Sequence, residues 1–351
     1  MSAPVKPLPA EDLDHVLAHT RGIWAEARGQ AFFITGGTGF FGRWLLESFT
    51  RANDELSLRM RAVVLTRDPA TFARSAPHLA GRPDIACLQG DLRTFVFPAG
   101  RFDGLIHAAA DTGVWTSDKP PDGLIDAIIG NTRRLLDFAA GARVKNFLLI
   151  SSGAVYGQQP AGLAQVSEEF PGLPDPLVPG SIWGEGKRVA EQLCTAQAAR
   201  HGFAIKIARC YTFVGPLLQM DGHYAVGNFL RDGLRGDPIV VTGDGTPVRS
   251  YLYASDLAIW LWTILFRGQT ARPYNVGSSE AVSIAELAGM VNNVFAQSFP
   301  VKIMQAAGPG GPVSRYVPAV TRAGAELGLE VRVPLAEAIR KTAVWHGGAD
   351  R

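Results

Sequence analysis

The densest chemistry in this chain is Thr35-Gly36-Gly37-Thr38-Gly39-Phe40-Phe41-Gly42, set between the apolar run Ala31–Thr35 and a second apolar stretch beginning Arg43-Trp44-Leu45-Leu46. Glycines at 36, 39 and 42 leave room for a tight turn, for backbone to approach a pyrophosphate, and for close packing of a helix on a strand. The helix N-terminus then faces the phosphates. A glycine triplet alone marks an ordinary turn, but a strand before it and a helix after it make this a dinucleotide loop, with Thr38, Phe40 and Phe41 lining it. The next apolar run ends Val63-Val64-Leu65-Thr66-Arg67-Asp68. Thr66 stands where a carboxylate would bond a ribose 2′-hydroxyl, and Arg67 can meet a 2′-phosphate. The cofactor expected is NAD(P), with NADP(H) favoured over NAD; Asp68 as ribose ligand and Arg67 as a solvated surface charge are the competing readings.

No metal site is expected. Cys87, Cys194 and Cys210 are widely spaced, odd in number and outside any CxxC or Cys/His cluster, which points to small buried hydrophobes in a reducing compartment. With 34 basic against 32 acidic residues, net +2, and no block of like charge, a nucleic-acid or anionic-membrane footprint has no support. A composition of 47% hydrophobic and 19% charged residues suits a globular chain rather than a disordered one. The N-terminal residues lack the charged-then-apolar pattern of a secretory signal, so a cytoplasmic location is expected. The most apolar run, Leu257–Phe266, is about half of the roughly 20 residues a membrane span needs and reads as a buried helix.

Stepping along the chain, residues 11–28 suit an amphipathic helix used for packing. Ala31–Thr35, Ala62–Thr66, Gly104–Ala109 and Asn146–Ser152 are short apolar runs separated by helical stretches, the rhythm of a buried parallel sheet with helices on both faces. A helix Glu185–His201 precedes a further strand, Phe203–Cys210. Past Gly215-Pro216 the texture turns to loops and short segments, with helices expected at Val226–Arg235, Ala254–Phe266, Ser283–Phe295 and Leu335–Trp345. The expected fold is α/β, a Rossmann-like doubly wound parallel sheet with a smaller C-terminal α/β substrate-binding lobe over its carboxyl edge. The expected organisation is an N-terminal helical extension (1–28), a dinucleotide-binding domain (29–215, with 245–278 returning to it), and a substrate lobe (216–244 and 279–351).

From about residue 31 to 345 the chain resembles the extended short-chain dehydrogenase/reductases, and within them the NAD-dependent epimerase/dehydratase group acting on nucleotide sugars. The glycine loop matches, as do Gly90-Asp91-Leu92 beside the adenine and His107-Ala108-Ala109-Ala110 past the nicotinamide. Asn131-Thr132 is similar to the asparagine opening a central helix. Ser151-Ser152-Gly153-Ala154-Val155-Tyr156-Gly157 is similar to SSxxVYG, and Arg209–Pro216 to RxxNVYGP, with Thr212 at the asparagine position. Gly243–Asp256, Tyr274–Gly277 and Arg315–Leu327 resemble the family's closing motifs. The resemblance implies that Arg249 and Arg315 hold a nucleotide-sugar diphosphate, where a planar guanidinium suits bidentate contacts. It also implies a homodimer.

The resemblance further implies a catalytic Tyr and Lys four apart on one helix, and a Ser or Thr at the SSxxVYG strand end. Lys187 and Ser152 match, Lys187 as a ribose ligand and Ser152 as a substrate-binding hydroxyl, but Trp183 replaces the tyrosine. Indole offers an N–H donor and no acid/base group near neutral pH. No tyrosine lies between Gln158 and Lys187 to rescue the motif, and Gly153-Ala154 replace the Asp-Glu pair of 4,6-dehydratases, which lowers that reaction in rank. Glu185, Ser152, Asp111, Tyr211 and His223 are the candidates for the proton, Glu185 reading better as a helix-start carboxylate. The function expected is NAD(P)-dependent epimerisation or keto/hydroxyl oxidoreduction of a nucleotide-activated sugar. The alternatives are a catalytically silent binding homologue and an NADPH-dependent reductase of a ketone without a nucleotide.

Overall fold

A computed structural model describes residues 5–109, 123–222, 224–295, 299–306, 308 and 313–348. Strands β1 (Ala31–Thr35), β2 (Arg61–Thr66), β3 (Ile85–Gln89), β4 (Gly104–His107), β5 (Asn146–Ser152) and β6 (Ala204–Cys210) join Pro273–Val276 in a seven-stranded sheet. Its order is Pro273–Val276, β6, β5, β4, β1, β2, β3. β1 pairs in parallel with β2 on one side and β4 on the other, and the parallel pairing continues to β3 and β5. β1, β4 and β5 are buried almost end to end, as strands covered on both faces must be, which is why they read as unbroken apolar runs. This is the expected Rossmann-like doubly wound α/β fold. β3 was not foreseen: as an edge strand with a half-exposed pattern it carries only a weak apolar signal.

Helix Phe40–Leu56 follows β1, Leu124–Gly141 precedes β5, and Ile182–His201 precedes β6. Asn131 does not open its helix but lies inside it, because Leu124, Ile125, Ile128 and Ile129 already carry the helical repeat before it. The helix starting at Ile284 ends at Asn292, short of the expected Phe295. The Asn292 side chain bonds both the N–H and the C=O of Phe299 (2.9 and 3.0 Å), pulling the chain out of helix. Its start is a capping box between Ser283 and Glu286.

By internal contacts the chain divides into two units, one of residues 1–157, 173–209 and 258–274, the other of 158–172, 210–257 and 275–351. The first unit centres on Phe33, whose ring lies 4.6 Å from Phe138 and 5.7 Å from Phe95. Its N-terminal helix, Ala10–Trp24, ends in the fully buried Trp24, 4.7 Å from Trp262, whose indole N–H donates to Ser48 Oγ at 2.9 Å. The run Leu257–Phe266 is therefore a buried helical segment, and among the described residues no helix is long and apolar enough to cross a membrane.

The second unit is built from short pieces. Val248–Arg249 lies between Val282–Ser283 and Arg315–Tyr316 in a three-stranded sheet, and Ile239–Val241 pairs with Val301–Ile303. Asp256, fully buried, accepts from the N–H groups of Arg332 (2.9 Å) and Val333 (3.0 Å) and so sets the approach to helix Leu335–Trp345. Asn275 Nδ2 donates to Val166 O (2.8 Å) and Ala319 O (3.0 Å), tying three separate segments together.

Candidate functional site

In the first unit the sheet changes winding direction between β1 and β4, where Thr35 and His107 stand side by side and share a hydrogen bond (Oγ1 to Nδ1, 2.9 Å). Ligands of open α/β sheets bind at such a switch point. Gly36 takes φ +71°, and a Cβ there would lie 2.5 Å from Ala109 N and 2.6 Å from Ala108 C. A Cβ on Gly42 would lie 2.2 Å from Gly36 O, so only glycine lets the helix seat on the turn. At Gly39 a Cβ would meet only Gly36 O, at 3.5 Å; Thr38 and Gly39 are exposed, and Gly39 supplies no side-chain cap to helix Phe40–Leu56. The first-turn N–H groups, without a side-chain cap and beside exposed Thr38 and Gly39, suit an anion. Phe40 and Phe41 pack edge to face at 5.8 Å beside it.

At the end of β2, Thr66 is buried and accepts from Asp68 N at 3.3 Å, while Arg67 is exposed. Asp68 caps helix Pro69–Ser75, accepting from Thr71 N at 2.9 Å, and its bonds to Thr71 hold its carboxyl below the ordinary range. Asp91 is engaged by Arg93 (2.9 Å), which lowers its carboxyl too, with a smaller contribution from Arg67; Leu92 packs against the core beside it.

The strand end of β5 turns through a 3₁₀ segment capped by Ser152, whose Oγ accepts from Ala154 N at 3.1 Å. Helix Ile182–His201 lies close against it at Gly184 and close against helix Leu124–Gly141 at Gly186, neither of which has a side chain. A Cβ on Gly184 would fall 2.4 Å from Ala154 O, and one on Gly186 2.8 Å from Ile128 Cδ1. Lys187, 5% exposed, donates to Ile150 O at 2.8 Å, and its Nζ lies 5.0 Å from the centroid of the half-buried Trp183 ring. Lys187 also acts on His107, whose imidazole is pushed down to about 3, first by burial and then by that positive charge. His107 is therefore neutral at pH 7. Asn131 Oδ1 is buried with no partner among the described residues, an acceptor held ready for a donor.

Under the same strand Ser151 donates to Glu191 (2.6 Å), which Arg209 grips through Nε (3.0 Å) and Nη2 (2.7 Å). Arg209 also donates to the Tyr156 hydroxyl at 2.9 Å. Three residues of the resembling motifs, Ser151, Tyr156 and Arg209, are thus absorbed into a buried framework below Ser152. Ala110, Asp111 and His223 lie outside the described residues.

The second unit holds a cavity of about 870 Å³ whose walls include Thr212, Arg249 and Tyr251. Arg249 donates to Val248 O (2.8 Å) and Ser314 O (3.2 Å), with no carboxylate partner among the described residues; burial lowers it from its ordinary value, against Tyr251 and Tyr316. Burial pushes Tyr251 up to about 12. The Thr212 hydroxyl donates to Ser250 O. Arg315 sits on the neighbouring strand opposite Val248, one residue out of register with Arg249, and is not among the wall residues; its Nε is buried without a partner among the described residues. The Tyr211 and Tyr316 rings pack at a tilt, 4.5 Å apart. Sequence reasoning missed the wall residues Tyr224, Asn228, Arg231 and Lys302. They come from a helix and an exposed strand far apart in the chain, and no local pattern joins them.

The fold and the glycine cradle define a dinucleotide-binding α/β protein. Residues 32–277 match the NAD dependent epimerase/dehydratase family, and the chain belongs to it. It is 30% identical over 311 residues to UDP-glucuronic acid decarboxylase 6 of Arabidopsis thaliana, covering 87% of this chain and 85% of that one. It is 26% identical over 320 residues to dTDP-glucose 4,6-dehydratase of Streptomyces griseus, covering 89% and 93%. The solved UDP-glucuronic acid 4-epimerase of Bacillus cereus, in complex with UDP-glucuronic acid and NAD, superimposes with a TM-score of 0.74 at 22% identity, over 90% of this chain and 98% of that one.

Proposed function

We propose that this chain carries out NAD(P)-dependent epimerisation or keto/hydroxyl oxidoreduction of a nucleotide-activated sugar at a site without the family's tyrosine. The observation that carries this is the glycine cradle at the β1/β4 switch point, with Ser152, Lys187 and the unpartnered Asn131 Oδ1 built into the same unit. The cradle fits a dinucleotide. Gly36, Gly39 and Gly42 admit the pyrophosphate, Ala108 and Ala109 pass beside it, Asp91 and Leu92 border the adenine, and Lys187 and Asn131 reach the nicotinamide end. The bound dinucleotide supplies hydride exchange. Ser152 orients the reacting hydroxyl or carbonyl, and Trp183 holds Lys187 in place.

The NADP(H) preference rests on Arg67. Asp68 is committed to a helix cap, leaving an exposed guanidinium as the group that can meet a 2′-phosphate. Arg67→Ala is expected to weaken NADPH binding about tenfold while changing NADH binding less than threefold. In the second unit Arg249 and Thr212 bind the nucleotide diphosphate, with Arg315 from the adjoining strand.

Mass spectrometry of small molecules released on denaturing the freshly purified chain tests the reading. Retained NAD(H) with a nucleotide sugar supports an epimerase that recycles its cofactor and removes the NADP preference. An empty chain that binds NADPH from solution supports a reductase, and failure to bind any dinucleotide refutes the proposal. Trp183 motivates a second reading, a catalytically silent binding protein: if Trp183→Tyr creates activity in a chain that had none, that reading is favoured.

A further inference from the structure

Resting on the reading above, we propose that the site is a reductase site with Lys187 as proton donor, its ammonium held between the Ile150 carbonyl and the Trp183 ring, so that substrate enters as a ketone and leaves as an alcohol.

Both contacts of Lys187 act on the same charge state. The Ile150 carbonyl accepts an N–H at 2.8 Å, and an aromatic face 5.0 Å from Nζ attracts a cation through its quadrupole and gives a neutral amine nothing comparable. The indole therefore does more than fail to replace a tyrosine. It is a positioning residue whose ring face favours the charged form of the neighbouring nitrogen.

Oxidation of a hydroxyl needs a group to take its proton, and among the described residues the groups around Lys187 are otherwise engaged. His107, from β4, is bonded to Thr35 and buried. Glu191, on the same helix, is committed to Ser151 and Arg209, and Cys194 is fully buried. Ser152 Oγ accepts from Ala154 N. Reduction needs only a donor. Hydride from a reduced nicotinamide dinucleotide adds to the carbonyl carbon, the C=O π pair moves to oxygen, and that oxygen takes a proton from Nζ of Lys187. The amine left behind is reprotonated by solvent, and the oxidised dinucleotide departs. The reverse direction must begin from the uncharged amine, the form that both contacts disfavour. The reaction that supplies this substrate must therefore leave a carbonyl on the sugar ring, an oxidation or a water elimination, and whatever consumes the product takes a hydroxylated sugar.

The test uses the full chain and two pairs of probes: UDP- and dTDP-4-keto-6-deoxyglucose with NADPH or NADH for reduction, UDP- and dTDP-glucose with NADP+ or NAD+ for oxidation. At pH 7 and saturation, reduction is expected to exceed oxidation at least 100-fold. Lys187→Arg keeps a cation between the same two contacts but gives up its proton far less readily, and reduction at saturating dinucleotide is expected to fall at least 100-fold. A readout independent of turnover is acetic anhydride labelling of Lys187 in the dinucleotide-free chain, followed by peptide mass spectrometry. Trp183→Leu is expected to raise labelling at least threefold, and Trp183→Phe to keep it at the wild-type level.

Oxidation at a rate comparable to reduction overturns the proposal, as does a fully active Lys187→Arg or equal labelling in all three chains. Dinucleotide binding with no turnover in either direction also overturns it, leaving the silent-protein reading standing. Failure to bind any dinucleotide overturns this proposal and the function it rests on together.

Discussion

Arg249→Ala separates a nucleotide-diphosphate site from a pocket for a smaller ketone. In the folded chain this guanidinium donates to two backbone carbonyls and, weakly, to Ser314 Oγ at 3.5 Å, so its removal strands no buried anion and folding stability is expected to change by less than about 1 kcal/mol. Burial has already stripped part of its water, so the cost of meeting a phosphate is partly met before binding. Two charge-assisted bonds to a diphosphate, partly offset by lost hydration, amount to about 2–4 kcal/mol, a Kd rise of roughly 30- to 900-fold. Calorimetric titration with UDP and dTDP at 25 °C and two salt concentrations reads this directly, and the loss should shrink at high salt. Arg231 is the control. It also lines the cavity, but its guanidinium is held by Asp232 (2.7 Å) and Asp221 (3.1 Å), and Arg231→Ala is expected to shift Kd less than fivefold. An Arg249→Ala chain that binds both nucleotides within threefold of wild type refutes the diphosphate assignment and favours a ketone substrate without a nucleotide.

Three further perturbations test the framework. His107 is held neutral with its imidazole at about 3 against an ordinary 6.5, so the unfolded chain binds the extra proton first and stability falls as pH drops below 6.5; between pH 8 and pH 5 the loss is about 2 kcal/mol. Thermal melts across that range should show it in wild type and not in His107→Asn. Glu191→Ala leaves the Arg209 guanidinium without its carboxylate, costing about 3–5 kcal/mol and lowering Tm by about 4–7 °C; a shift under 1 °C would show the network to be decorative. Gly42→Ala drives a Cβ to 2.2 Å from Gly36 O and should weaken dinucleotide binding more than about tenfold, whereas Gly22→Ala, with open space around it in a helix, should stabilise the chain by about 0.5–1 kcal/mol.

Legibility followed burial. β1, β4 and β5 carry unbroken apolar runs because helices cover both faces, and the glycine loop is readable because each glycine answers a separate steric demand. β3 escaped because an edge strand needs fewer apolar residues. The helix around Asn131 starts at Leu124, well before the motif asparagine, because the Leu124–Ile129 periodicity already carries the helical repeat. The short pairs of the second unit, two or three residues each, lie below any periodic signal.

What the sequence alone determined is therefore the local chemistry: a phosphate-cradling turn between strand and helix, and a lysine four residues after a tryptophan. These are properties of neighbours along the chain, and steric and hydrogen-bonding rules act on them directly. Tertiary structure alone decided which of those groups are committed. It paired Glu191 with Arg209, spent Asp68 on a cap, buried His107 as a neutral imidazole, and left Arg249 and Arg315 without a carboxylate among the described residues. Partners from distant segments set the protonation and availability of each group, because desolvation and ion pairing depend on what packs against a side chain and not on its neighbours in sequence.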